Sequence, residues 1–108
     1  MLNKMYSVTR GFAHRFADGN GPYQMMTRLL EEAGELAQQV NHFEGAGVKR
    51  EKHGEPDRAQ LAKEILHVIH CALAVAVYYD VEKELEENLD WIYQRLKSEG
   101  HILDELEG

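Results

Sequence analysis

Apolar residues recur at helical spacing in four stretches of this chain, and the spacing predicts four helices. Met5, Val8, Phe12 and Phe16 mark the first, from about Asn3 to Phe16. Asp18-Gly19-Asn20-Gly21-Pro22 ends it, because Gly and Asn accept the positive φ of a turn and Pro22 suits the first position of a new helix. The second then runs from about Pro22 to Phe43 on a stripe of Leu29, Ala33, Leu36 and Val40, and Gly45-Ala46-Gly47 closes it. Pro56-Asp57 opens the third, with Leu61, Ile65, Val68 and Ala72 as its stripe. From Ile65 to Val77 this helix is apolar nearly all round. Asp80 is the expected N-cap of the fourth, with Glu82 and Glu84 in the first turn, Leu85, Leu89, Ile92 and Leu96 as the core stripe, and Gly100 as the stop. His101 to Gly108 is an acidic tail to which no function is assigned. The expectation is an all-α, four-helix-bundle-like fold in one domain of 108 residues.

A third helix that is apolar all round, in so short a chain, implies that part of its surface meets another protomer. A homodimer or homotetramer would complete the bundle. Ile65 to Tyr79 reads as a buried helix rather than a membrane span, being short and carrying His67 and His70. Composition agrees with a folded protein, at 44% hydrophobic and 29% charged residues with two Pro. The formal net charge of -7 argues against a binder of nucleic acid polymers, which present a basic face, and suits cations better. Cys71, the only cysteine, lies in an apolar run, so a disulfide framework is excluded and a reduced, cytoplasmic setting is expected. Met1 to Tyr6 lacks the apolar core of a signal peptide.

The candidate chemistry lies along the second and third stripes. On the helical wheel Glu32 falls roughly 60° and Glu35 roughly 120° to one side of the Leu29 stripe, with Glu31 further round. Glu64 and His67 hold the same offsets beside the Leu61 stripe, so Leu-x-x-Glu-x-x-Glu is answered by Leu-x-x-Glu-x-x-His. If the two helices pack through their stripes, these groups converge at the edge of a shared core, where carboxylates are costly unless neutralised. A divalent cation would neutralise them, and magnesium shares its shell readily with nucleotide phosphates. The plainer reading of Glu31, Glu32 and Glu35 is a solvated face with Arg28 one turn away; the repetition at Glu64 tells against it. His67 is a ligand or a core histidine, and His70, on another side, is a packing residue. Lys49, Arg50, Lys52 and His53 make the loop of about 45–56 either a solvated connector or a basic flap for phosphates. Tyr23, Phe43, Tyr78 and Trp91 are candidates for stacking on a base, though aromatics of this kind are more often core.

Glu31-Glu32-x-x-Glu35, 28 intervening residues and then Glu64-x-x-His67 resembles the Glu-Glu-x-x-Glu and Glu-x-x-Asp signature of MazG-like, all-α nucleotide pyrophosphohydrolases. The likeness spans roughly Tyr23 to Leu96, and Asn88 resembles an asparagine that the family places near substrate. The resemblance implies an oligomeric bundle that uses magnesium to hydrolyse nucleoside triphosphates to monophosphate and pyrophosphate, in a house-cleaning role. By motif position Glu32, Glu35 and Glu64 would bind metal, with His67 in the fourth ligand position. Glu31 would hold metal or orient the attacking water, and Asn88 with Lys49, Arg50 and Lys52 would meet substrate. The chain departs from the family at two places. His67 stands where the family has Asp, which brings manganese or another divalent ion into consideration. Glu84-Leu85-Glu86-Glu87 stands where it often has a phosphate-facing Lys. Two other readings follow from these residues: a catalytically weakened relative that binds nucleotides or a protein, and a di-iron carboxylate bundle, which also uses Glu-x-x-His.

Overall fold

The computed structural model describes residues 1–45 and 54–103, and they are helical without strands. The helices are α1 (Leu2–Arg15), α2 (Pro22–Glu44), α3 (Arg58–Tyr78) and α4 (Glu82–Ser98). They fall into two compact units, Met1–Tyr78 with α1 to α3 and Tyr79–Gly108 with α4. Within the first unit α3 is the common partner, since both α1 and α2 pack against it. The expected all-α, bundle-like class is what forms.

The turns carry the chemistry that places these helices. Pro22 occupies the start of α2, and the Gln24 Oε1 reaches back to accept the Gly21 N–H at 2.9 Å. The preceding turn is pinned from both sides. Asn20 Nδ2 donates to the Phe16 carbonyl at 2.7 Å, and Arg28 Nη2 donates to the Gly19 carbonyl at 2.7 Å. Gly19 has φ 75°, a conformation that costs other residues a Cβ clash. At the start of α3, Asp57 Oδ1 accepts the Ala59 N–H at 2.9 Å, satisfying a donor that the helix itself cannot. His42 Nε2 donates to the Gly54 carbonyl at 2.7 Å and ties the end of α2 to the approach to α3.

The register of the helices differs from the expected stripes in one consistent way. On α2 the inward positions are Met25, Leu29, Glu32, Leu36, Gln39 and Phe43, whereas Ala33 and Val40 are exposed. On α3 they include Leu61, Glu64, Val68, Cys71 and Val75, whereas Ile65 and Ala72 are exposed. Each helix is turned so that its glutamate lies on the contact stripe rather than beside it. On α1, likewise, the buried residues are Tyr6 and Thr9, while Val8, Phe12 and Phe16 are open. Thr9 tolerates burial because its hydroxyl donates to the Met5 carbonyl at 2.8 Å.

The all-round apolar pattern of α3 holds in its C-terminal half, where Cys71, Leu73 and Ala76 are buried on more than one side. Its N-terminal half leaves Ile65 and Leu66 exposed. The whole helix, at 21 residues, is long and apolar enough to cross a membrane by length and composition alone, although the apolar run from Ile65 to Tyr79 is shorter. The helix packs against α1 and α2 and buries Glu64, with 22% of its most apolar stretch buried within this chain.

In the second unit Asp80 does not cap α4. It takes φ 56°, a left-handed conformation that Asp accepts more readily than most residues, and Val81 becomes the residue before the helix. Glu82 and Glu84 lie in the first turn as expected. Gly100, at φ 82°, ends α4 in a Schellman motif: its N–H reaches the Lys97 carbonyl at 3.0 Å and the His101 N–H reaches the Leu96 carbonyl at 2.9 Å. Asp57→Ala is expected to lower the unfolding free energy by about 1 kcal/mol, with Asp57→Asn close to wild type. Urea denaturation followed by helical circular dichroism measures both.

Candidate functional site

Glu64 and His67 lie one turn apart on α3, and Glu32 faces them from α2. His67 Nδ1 is 3.1 Å from Glu32 Oε2 and 3.7 Å from Glu64 Oε2, and one ligand atom from each of the three side chains lies within 4.8 Å of the others. The three residues are 35 positions apart at their widest in the chain. Helix packing, not local sequence, therefore builds the cluster. Glu64 is the buried member, at 5% exposure, while Glu32 and His67 are half-buried. Gln60, one turn before Glu64, donates Nε2–H to its Oε1 at 3.2 Å. The other oxygen, Oε2, is enclosed and has no hydrogen-bond partner.

Beside this cluster a cavity of about 650 Å³ opens between α1, α2 and α3. Its walls are mostly apolar, formed by side chains such as Phe12, Phe16, Met25, Val77 and Tyr78. Glu32 and His67 line it together with Arg28 and His70, so the polar groups gather where the cluster is. Its volume falls within the range of small-molecule pockets. The His70 ring stacks on Phe12 at 4.9 Å between centroids and stands edge-on to His67 at 5.6 Å.

Two neighbouring groups feel this environment. Burial lowers the His70 pKa below its ordinary 6.5; the charge of His67 pushes the same way, that of Glu32 opposes, and that of Arg28 lowers it further. Burial raises the Cys71 thiol above its ordinary value, helped by Glu32 and opposed by Arg28. A thiol so shifted is less nucleophilic, in keeping with a structural cysteine.

Of the residues singled out from the sequence, Glu32, Glu64 and His67 are brought together. Glu31 and Glu35 are exposed on α2 and stand outside the cluster. Asn88 is exposed on α4, in the second unit. Lys49, Arg50 and Lys52 lie outside the described residues. Of the aromatic candidates, Tyr78 lines the cavity and Phe43 is half-buried near the end of α2, whereas Tyr23 is exposed and Trp91 lies beneath the Arg95 guanidinium at 5.3 Å. Sequence reasoning passed over three contributors. Arg28 pairs by spacing with glutamates on its own helix, but its position four residues before Glu32 also puts it on the face of the cluster. Gln60 carries the same i, i+4 signal toward Glu64, and the Phe12–His70 stack had none, because it joins different helices.

No family model, curated protein or solved structure matches this chain.

The depressed His70 pKa sets a pH dependence. As the pH falls through 6.5 the unfolded chain takes up the histidine proton before the folded one does, so folding stability declines on that side and the decline ends only below the folded pKa. His70→Phe keeps a ring against Phe12 and removes the titration. Between roughly pH 7.5 and 5.5 its stability, from denaturant midpoints, is expected to fall less steeply than that of wild type.

Proposed function

We propose that the protein is a metal-dependent nucleoside triphosphate pyrophosphohydrolase, cleaving the α–β anhydride with water to give nucleoside monophosphate and pyrophosphate. The observation that carries this reading is the convergence of Glu32, Glu64 and His67 beside an apolar cavity that Glu32, His67 and Arg28 line. The donor set fits a divalent cation: two carboxylates and one imidazole face each other, and one buried carboxylate oxygen lacks a hydrogen-bond partner. The resemblance of Glu31-Glu32-x-x-Glu35 and Glu64-x-x-His67 to the MazG-like signature supports the same chemistry.

In this reading a divalent cation would offset phosphate charge and make a nearby water more acidic. Glu32, Glu64 and His67 hold the ion. Arg28 supplies the positive charge that the sequence had assigned to Lys49, Arg50 and Lys52, and its tie to the Gly19 carbonyl holds the guanidinium at the cavity. The apolar walls take the base and exclude water from it, with Phe12 and Tyr78 as stacking surfaces. Attack releases a proton to solvent water, and Glu31, exposed on α2 and outside the cluster, is retained on the resemblance alone as the carboxylate that would orient the attacking water.

A second reading, binding without turnover, draws on the 3.1 Å contact between His67 and Glu32, since a protonated His67 would neutralise one carboxylate by itself. The di-iron alternative is less well supported. One three-residue cluster forms among the described residues, short of the larger carboxylate set such centres use.

We also assign the protein to a homo-oligomer in the cytoplasm. Among the described residues no large side chain is fully buried, and Ile65 and Leu66 on α3 and Leu89 and Ile92 on α4 are exposed apolar groups. Sedimentation should give a mass at least twice the 12.4 kDa of the chain, and Leu66→Glu should shift it toward the monomer. For activity, purified protein is expected to release pyrophosphate from at least one member of a panel of canonical and modified nucleoside triphosphates supplied with magnesium or manganese. Glu64→Gln should reduce that rate at least about 100-fold. Ligand binding without pyrophosphate release in any condition would move the assignment to the second reading.

A further inference from the structure

We infer that Glu32, Glu64 and His67 form a site for a first-row transition dication of the zinc and cobalt kind, which prefers that ion to magnesium. The inference rests on the hydrolase reading for the metal's role, but not for its binding.

Three features of the cluster carry it. The first is the state of Glu64. A carboxylate at 5% exposure is costly to leave uncompensated, and its Oε2 is enclosed without a hydrogen-bond partner. Gln60 satisfies only Oε1. His67 does not meet the need, because its Nδ1 lies 3.1 Å from Glu32 but 3.7 Å from the Glu64 oxygen. The second is charge. A protonated His67 would balance one of the two carboxylates, whereas a dication with neutral imidazole balances both. The third is donor chemistry. Magnesium demands oxygen ligands in near-octahedral array, while imidazole nitrogen suits zinc, iron, cobalt and nickel.

The placement of the three ligands distinguishes a working site from a structural one. All three come from α2 and α3, whose packing fixes them, and two of them, Glu32 and His67, also line the cavity. Three protein ligands leave coordination positions for water or an oxygen-bearing ligand. Those positions would be filled from the cavity side, since Glu64 lies behind and is closed to solvent. The exposed Glu31 and Glu35 add no donor to the cluster.

The test is direct metal binding. Chelator-treated full-length protein is titrated with cobalt(II) and followed by visible ligand-field absorption, then challenged with zinc(II) and, separately, with a hundredfold excess of magnesium. The expected result is saturation at one cobalt per chain, displacement by zinc and retention against magnesium. His67→Ala and Glu64→Gln should weaken cobalt binding at least about 100-fold, whereas Glu86→Gln on α4 should leave it unchanged. Helical circular dichroism checks that each variant is folded, and the wild-type displacement series needs no variant. No saturable cobalt spectrum, displacement by magnesium, or undiminished binding in folded His67→Ala would overturn the inference. Pyrophosphate release with magnesium but no cobalt or zinc binding would remove the inference and leave the hydrolase reading. Tight cobalt binding with no nucleotide turnover would do the reverse.

Discussion

The burial of Glu64 in the middle of α3 is the constraint from which the arrangement of the first unit follows. A carboxylate sequestered from water must be neutralised or supplied with donors, and a helix backbone offers none to a side chain in its own middle. Gln60 reaches one oxygen along α3. The remaining compensation has to come from across the contact with α2, and that contact presents Glu32 with His67 between the two acids. Were α2 turned by one residue, Ala33 would face His67 and the imidazole would lose its partner. Helix packing and electrostatics thus select the same register.

That register is also where sequence and structure part. The helices themselves were legible, because Pro22, Asp57 and Gly100 are strong local signals and each acts through a backbone position visible in the structure. The partners Glu32, Glu64 and His67 were legible too, because a repeated spacing on two stripes survives uncertainty about which way each stripe points. The stripe centres were not. Placing Ala33 and Ile65 inward and the acids at the rim follows from the rule that charges prefer water, and the rule fails here because the acids are collected around a common partner. Asp80 failed for a different reason: a residue suited to an N-cap is equally suited to the left-handed conformation it takes, at φ 56°. Nor could local spacing reveal the Phe12–His70 stack, which depends on how α1 lies against α3.

Charge and cavity make a divided site. The apolar walls suit the body of a small molecule, while the acids at one edge repel anions and attract cations. A phosphate ligand and this cluster are compatible only through a metal ion, helped by Arg28, which is the one guanidinium among the described residues that lines the cavity. The His70 ring marks the boundary. It lies against Phe12 on the apolar side and edge-on to His67 on the polar side, and its lowered pKa keeps positive charge from being added where Arg28 already stands. Burial, with the charge of Glu32, disfavours the Cys71 thiolate against the opposing pull of Arg28, so the thiol packs as a neutral group.

The exposed apolar surface bears on function through the same helix. α3 supplies two cluster residues with one side, and its N-terminal half exposes Ile65 and Leu66 on another. Those residues lie between Glu64 and His67 in the chain, so any protein surface that covers them also restrains the turn carrying the ligands. Covering apolar area of this kind yields roughly 25 cal/mol per Å², and it lengthens the path by which water reaches Glu64. A lower local dielectric then strengthens the attraction between the carboxylates and a cation. Association and metal affinity would in that case rise together, because one helix serves both, and a substitution on its outer face would act on the site without touching a ligand.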